Sequence, residues 1–194
     1  MYRLTIKRIV DFLLSIILIV VLSPIFILVS LLILMNMGSP ILFTQLRSGQ
    51  YKKSFKIYKF RTMCDELKGG SDSDRITSLG DFLRRWSLDE LPQILNVIKG
   101  DMSLVGPRPL LPEYDSHYST EQNKRFLVKP GVTGLAQVRG RNSLKWDDKF
   151  ALDVNYVENQ SMFNDFKILI QTVFVVFGAK GFRKSGEEKK FSDL

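Results

Sequence analysis

Two adjacent carboxylates, Asp89 and Glu90, stand in the stretch Ser87-Leu88-Asp89-Glu90-Leu91-Pro92-Gln93, just after the basic pair Arg84-Arg85. An ionised carboxylate can attack phosphorus and form an acyl phosphate. A second carboxylate beside it can help hold Mg²⁺, which bridges phosphate oxygens and reduces repulsion between an anionic nucleophile and an anionic substrate. Arg108 follows in the turn Gly106-Pro107-Arg108-Pro109. Prolines on both sides pre-set the backbone there, so the planar guanidinium can be presented to a phosphate. A plainer use of the same residues stands beside this one. Ser87-x-x-Glu90 has the spacing of a capping box, or Asp89 is itself the cap, with Pro92 in the first turn where a missing N–H costs little. Arg108 would then be a structural arginine in a rigid turn. The two uses are compatible, because opposite charge and the helix dipole both favour an ionised carboxyl at a helix start.

Other chemistries find less support. His117 is the only histidine and Cys64 the only cysteine, which removes a disulfide within the chain, a cysteine zinc cage and a His-centred triad from consideration. No phosphate-binding Gly-x-x-x-x-Gly-Lys-Ser/Thr loop and no G-x-G-x-x-G fingerprint occurs. The aspartates of Gly69-Gly70-Ser71-Asp72-Ser73-Asp74 have the spacing of a calcium loop but lack its glycine and terminal glutamate, so the segment reads as a linker.

The elements that must position the two acids begin with a membrane-length segment. Phe12 to Met35 is free of charge over 24 residues, about 36 Å as a helix and enough to cross a bilayer core. Pro24 divides it into two legs of 11 residues, each about half that core. Arg3, Lys7 and Arg8 precede it; Arg47, Lys52, Lys53 and Lys56 follow. Positive residues tend to remain on the cytoplasmic side. Two basic flanks therefore fit a helix that enters, bends at Ser23-Pro24 and leaves by the same face, with Ser23 helping to satisfy the freed backbone. A Pro-kinked span stays open as the alternative. Asp11 is spaced to pair with Lys7 or Arg8. The formal charge of the chain is +8, of which +6 lies beyond residue 37, favouring anionic partners such as phospholipid headgroups, phosphorylated small molecules or nucleic acid.

Beyond the membrane segment, Ile41–Gln45 reads as a strand, Leu46–Ser54 as a loop and Phe55–Arg61 as a second strand with one basic face. Thr77–Trp86 reads as a short helix. Leu91, Ile94, Leu95 and Ile98 give the dyad helix its apolar stripe over Glu90–Ile98, and Gly100 stops it. Met102–Val105 reads as a strand, Glu121–Phe126 and Trp146–Asn159 as helices, and Lys129–Asn142 as a glycine-rich basic run. Phe163–Phe177 is either an interfacial or a core helix. The tail from Lys180 is polar and expected to be disordered.

These motifs together resemble the small monotopic phosphoglycosyl transferases of the bacterial sugar transferase family. The resemblance runs from about Lys7 to Phe177. It is carried by Lys7-Arg8-Ile9-Val10-Asp11, Ser23-Pro24, Phe43-Thr44-Gln45, Tyr58-Lys59-Phe60-Arg61-Thr62-Met63, Ser87 to Gln93, Gly100-Asp101-Met102-Ser103, Gly106-Pro107-Arg108-Pro109 and Pro130 to Gln137. It implies an α+β fold: a small, mostly helical cytosolic domain with short strands, attached by an N-terminal re-entrant helix-break-helix hairpin and interfacial amphipathic helices. Residues 1–37 would be the membrane helix, 38–179 the catalytic domain and 180–194 the tail. It further implies transfer of a phosphosugar from a UDP-sugar to polyprenyl (undecaprenyl) phosphate, releasing UMP, on the cytoplasmic face of a bacterial inner membrane among phospholipid. Asp89 would be the covalent nucleophile of a ping-pong reaction, and Glu90 the acid beside it that engages Mg²⁺. Arg84 and Arg108 match positions near phosphate; Lys59, Arg61, Gln137, Arg139 and Arg141 are further candidates for nucleotide or phosphate contacts. Nucleic acid is not an expected partner, and a homo-oligomer stays open. Trp86 departs from the small residue or leucine commoner there, and the Gly69–Asp74 loop differs in length. The chain resembles the catalytic core of larger relatives without their additional N-terminal membrane helices. The rival mechanism is a ternary-complex glycosyltransferase in which Asp89 is a general base. A non-enzymatic module that binds anionic lipid is the remaining alternative.

Overall fold

One helix, α1 (Lys7–Met37), takes up the apolar N-terminal segment in the computed structural model of the chain. The structure describes residues 5–64, 74–140 and 143–178. Arg3, Arg141, the polar tail and all but Asp74 of the Gly69–Asp74 linker lie outside them. By length and composition α1 can cross a membrane. It is continuous through Pro24, so the expected division into two legs does not take the form of a break in helical conformation. Pro24 has no N–H for the carbonyl of Val20, four residues back, and the Ser23 hydroxyl donates to that carbonyl instead, at 2.8 Å.

Both ends of α1 pack on the same domain. Leu14 and Leu18 lie against a core formed by Phe55, Ile57, Val97, Met102, Leu104, Val105, Tyr156, Val157 and Ile168. Val29 and Ile33 are buried in a second core with Phe60 and Leu83, with Phe26 and Met37 packed on it. Val20 and Val21, midway, are two-thirds exposed at 67% and 66%. Polar contacts fasten the first turns. Lys7 Nζ lies 2.6 Å from Asp165 and 3.6 Å from Asp11, which meets the expected spacing. Asp11 also accepts from the Ser103 hydroxyl at 2.7 Å and from the Leu104 N–H. The Tyr156 hydroxyl is 2.7 Å from Asp165. Each ion in this buried network has partners, which offsets the cost of removing it from water.

The strands form two small sheets. β1 (Leu42–Ser48) and β2 (Ser54–Phe60) pair antiparallel from Leu42↔Phe60 to Ser48↔Ser54. Leu46–Ser48 therefore belongs to the strand rather than to a loop, because each residue finds a partner in β2. Directly opposed residues share a face, so Phe43, Gln45 and Arg47 lie on the side of Lys59, Ile57 and Phe55. After α2 (Ser78–Arg85) and α3 (Gln93–Lys99) comes β3 (Ser103–Val105), which pairs in parallel with β4 (Gly131–Thr133). The glycine-rich run contains β4, which its composition conceals. A Cβ on Gly131 would stand 2.0 Å from the Gly106 nitrogen, so the two chains can cross there only without one. α4 (Leu135–Arg139), α5 (Trp146–Glu158) and α6 (Met162–Phe177) complete the domain. Gln122–Leu127 is a 3₁₀ segment. Its Arg125 is buried, ion-paired to Asp153 at 2.8 Å and ringed by Tyr118, Phe126 and Phe150. α6 has two faces: Ile168 and Asp165 face the core, while Phe163, Phe166, Phe174 and Phe177 are exposed.

Candidate active site

The acid pair sits in a 3₁₀ turn over Leu88–Glu90, and α3 begins only at Gln93. The capping box does not form. Ser87 has φ 56 and ψ 22, a left-handed conformation, and its side chain makes no capping hydrogen bond. The turn is held from below by side chains on either side of the dyad. Leu88 and Leu91 pack on the core that contains Val29 and Ile33. α1 thus builds the floor under the two acids.

α3 is fixed to the sheet by Asn96. Its side-chain amide donates to the Lys56 carbonyl at 2.7 Å and its oxygen accepts from the Tyr58 N–H at 3.1 Å, as a neighbouring strand would. The other end of α3 is held by Arg8, which donates to the carbonyls of Val97 and Ile98. α2 is pinned to the end of β2 through Gly80, where a Cβ would meet the Thr62 carbonyl at 2.0 Å. Thr77 caps this helix by accepting from the Gly80 N–H at 2.9 Å. The result places Lys59 at the end of β2, Arg84 in the last turn of α2 and Arg108 after β3 around the dyad.

Asp89 and Glu90 have different surroundings. Asp89 is buried at 8% exposure, and among the described residues its carboxylate accepts no hydrogen bond. Burial raises its pKa, to about 6, against the lowering influence of Lys59; Glu90 adds to the rise, and Arg84 and Arg108 oppose it. Its depth works against the ionised form that neighbouring charge favours. At neutral pH the anion still predominates. Glu90 is gripped on both oxygens. Lys59 Nζ lies 2.7 Å from Oε1, and Arg108 donates to Oε1 at 2.8 Å and to Oε2 at 3.3 Å. Burial opposes its ionisation, but Arg108 and Lys59 prevail and hold its pKa well below the usual carboxylate range.

The remaining site candidates separate. Arg84 donates from Nε to Thr62 at 2.9 Å and acts on Asp89 through charge. Arg61 engages the backbone at the end of α1. It is buried and donates to the carbonyls of Met63, Met37 and Ser39, joining the end of α1 to β2. Gln137 lies on α4, which starts against Gly106, and both atoms of its amide are buried without a hydrogen-bond partner. Arg139 is exposed in the same helix. Arg141 is outside the described residues. Two residues that sequence reasoning left out belong here. Arg125 donates to the Arg108 carbonyl at 2.7 Å and so steadies the proline-flanked turn. Arg47 lines a shallow, open depression with Ile57, Lys59, Gln93, Arg108 and Pro109. Neither carries a sequence signal beyond its charge. Among the described residues no group of three or more His, Cys, Asp and Glu side chains could hold a metal. Asp89 and Glu90 are the two carboxylates at the site, a donor set that suits Mg²⁺ when substrate phosphates supply further oxygens.

This arrangement, one carboxylate without hydrogen bonds among cations beside a second that is firmly held, suits attack on a phosphate. Residues 2–179 match the bacterial sugar transferase family. The chain belongs to that family. It is a transferase. Among its relatives is an uncharacterized sugar transferase, EpsL, of Bacillus subtilis, 47% identical with 92% of this chain and 91% of the relative covered. A UDP-glucose:undecaprenyl-phosphate glucose-1-phosphate transferase of Caulobacter vibrioides is 40% identical, covering 86% of this chain and 68% of that protein. An undecaprenyl-phosphate galactose phosphotransferase of Salmonella typhimurium is 37% identical, covering 90% of this chain and 41% of its own length. The sugar transferase described here thus spans most of the first two relatives and under half of the third.

Proposed function

We propose that this transferase moves a phosphosugar from a UDP-sugar to polyprenyl phosphate, probed most directly with undecaprenyl phosphate, and releases UMP. The observation that carries the reading is Asp89: a buried carboxylate, without hydrogen bonds among the described residues, beside the Lys59–Glu90–Arg108 assembly. The names of the Caulobacter and Salmonella relatives support the substrate classes.

In this mechanism an Asp89 oxygen attacks the phosphorus that bears the sugar. The bond from that phosphorus to the UMP oxygen breaks, its electrons leave with UMP, and an aspartyl phosphosugar remains. An oxygen of polyprenyl phosphate then attacks the same phosphorus. The carboxylate leaves, and the product is a polyprenyl diphosphate sugar. Two bulky anions use one site in turn. Arg108 and Lys59 stabilise charge on the transferring phosphoryl oxygens, and Arg84 favours the ionised form of Asp89. Mg²⁺, held by Asp89 and Glu90 with substrate oxygens, would supply Lewis-acid neutralisation of the phosphates. A base is not needed for the second step, because a phosphate acceptor is already an anion. That disfavours the ternary-complex alternative, although a pKa near 6 would also suit a proton acceptor.

α1 and α6 support the proposed setting. Both ends of α1 are fastened to one domain while its middle is exposed and apolar. That supports a re-entrant, monotopic attachment in which α1 dips into the lipid and returns. The exposed phenylalanines of α6 suit an adjacent position in the interface among phospholipids. The proposed location is the cytoplasmic face of a bacterial inner membrane. The test is a single-turnover assay with UDP-sugar alone. A burst of UMP stoichiometric with enzyme, absent in Asp89→Asn, is the expected result. UDP as product, or undiminished turnover by Asp89→Asn, defeats the reading.

A further inference from the structure

Three arginines of the domain have their guanidinium groups engaged by the protein. Arg61 donates to three carbonyls, Arg8 to two, and Arg125 to Asp153, Tyr118 and a carbonyl. Arg47 differs. It is half-buried on β1, and Nη2 donates to the neutral Gln45 Oε1 at 2.7 Å. Among the described residues it has no other hydrogen bond and no ion pair, and its Nε–H is buried without a partner. The charge of Arg108 bears on it with the same sign. Burial first, and then Arg108, push the Arg47 pKa down to about 10, against the opposing pull of Glu90. The guanidinium stays charged at neutral pH and lacks a contacting counter-ion. Holding such a cation away from water is costly until an anion meets it.

The surroundings define what that anion is. β1–β2 pairing places Arg47 and Lys59 on one face of the sheet. Arg47, Lys59 and Arg108 line one depression, with Gln93 at its side. Of the acids whose charge acts on Arg47, Glu90 ahead of Glu113, Glu90 is engaged by Lys59 and Arg108. Three cations from β1, β2 and the proline-flanked turn, one of them bonded only to a neutral amide, match the several oxygens of a phosphate group better than a single carboxylate.

We infer that Arg47 is a substrate-binding residue, which with Lys59 and Arg108 forms an anion subsite beside Asp89 and Glu90 for a phosphate or diphosphate group. The inference rests on the phosphosugar transfer proposed above and adds to it the residue that holds the anion. The same chemistry can come from the diphosphate of the nucleotide sugar or from the phosphate of the lipid acceptor.

The test begins with inorganic pyrophosphate, titrated calorimetrically into the full-length protein in detergent micelles. Arg47→Gln is expected to weaken binding at least tenfold, Arg47→Lys to fall between it and the native protein, and Lys124→Gln, at a surface ion pair, to leave binding unchanged. The melting temperature of Arg47→Gln is expected to hold or rise, since the substitution removes an uncompensated charge; a structural arginine would lower it. Unchanged pyrophosphate affinity in Arg47→Gln overturns the inference, as does equal weakening in Lys124→Gln. The two half-reactions then assign the source. A raised KM for UDP-sugar in the UMP burst assigns the subsite to the donor. A raised KM for polyprenyl phosphate assigns it to the acceptor. No change in either KM overturns the substrate role. Failure of the covalent mechanism would appear separately, as a missing UMP burst in the native protein, and would leave the pyrophosphate titration interpretable.

Discussion

Arg108 and Glu90 meet at two points, Nη2 to Oε1 at 2.8 Å and Nη1 to Oε2 at 3.3 Å, while Lys59 shares Oε1 at 2.7 Å. The pair orients the arginine and holds the acid ionised directly beside Asp89. Arg108→Lys keeps the charge but loses the planar fork. It is expected to slow UMP release in single turnover by roughly 10- to 100-fold, and Glu90→Gln by on the order of 100-fold or more, as for other lost electrostatic contacts to a transition state. Rapid-quench rates with saturating UDP-sugar measure both; native rates in either variant would remove the pair from the chemistry.

The depth of Asp89 gives a pH signature. Its pKa is raised by burial to about 6. In the proposed mechanism the nucleophile is the anion, whose fraction is about nine-tenths at pH 7 and about one-tenth at pH 5. The rate of the UMP burst is therefore expected to fall through pH 6 towards tenfold per unit at lower pH. A profile that is flat from pH 7 to pH 5 would show that this carboxyl titrates elsewhere or does not attack.

Asn96 carries a stability cost disproportionate to its size. Asn96→Ala leaves the Lys56 carbonyl and the Tyr58 N–H without the partner that now joins α3 to β2. With one or two buried groups unsatisfied, the expected loss is on the order of 2–4 kcal/mol. Thermal melting in detergent measures it. A variant as stable as the native protein would mean that the backbone re-pairs without the side chain.

Attachment of both ends of α1 to one domain predicts a same-side topology. In a Cys64→Ser background, single cysteines at Thr5 and Ser119 are expected to react with a membrane-impermeant maleimide only from the cytoplasmic side. A cysteine at Val20 is expected to be shielded by lipid. Labelling of Thr5→Cys from the opposite side alone would establish a span and defeat the re-entrant arrangement.

Much of this protein is determined by local sequence. The apolar length of α1, the alternation of β2, the Gly100 stop and the exposed aromatic face of α6 follow from periodicity and backbone preference, because burial and hydrogen bonding act on residues close in the chain. Ser23 beside Pro24 belongs with these, since the carbonyl it satisfies lies within the same turn. The acid pair, its neighbouring cations and the family were legible as well. What only the tertiary structure decided are the contacts between distant residues. It replaced the capping box at Ser87 by a left-handed turn, turned Arg61 towards the end of α1, paired β4 with β3 and placed Arg125 beneath Arg108. It also distinguished two neighbouring acids by depth and partners, leaving Asp89 without hydrogen bonds among the described residues and Glu90 engaged. Desolvation and charge pairing depend on which segments arrive around a side chain, and a linear pattern does not contain that information.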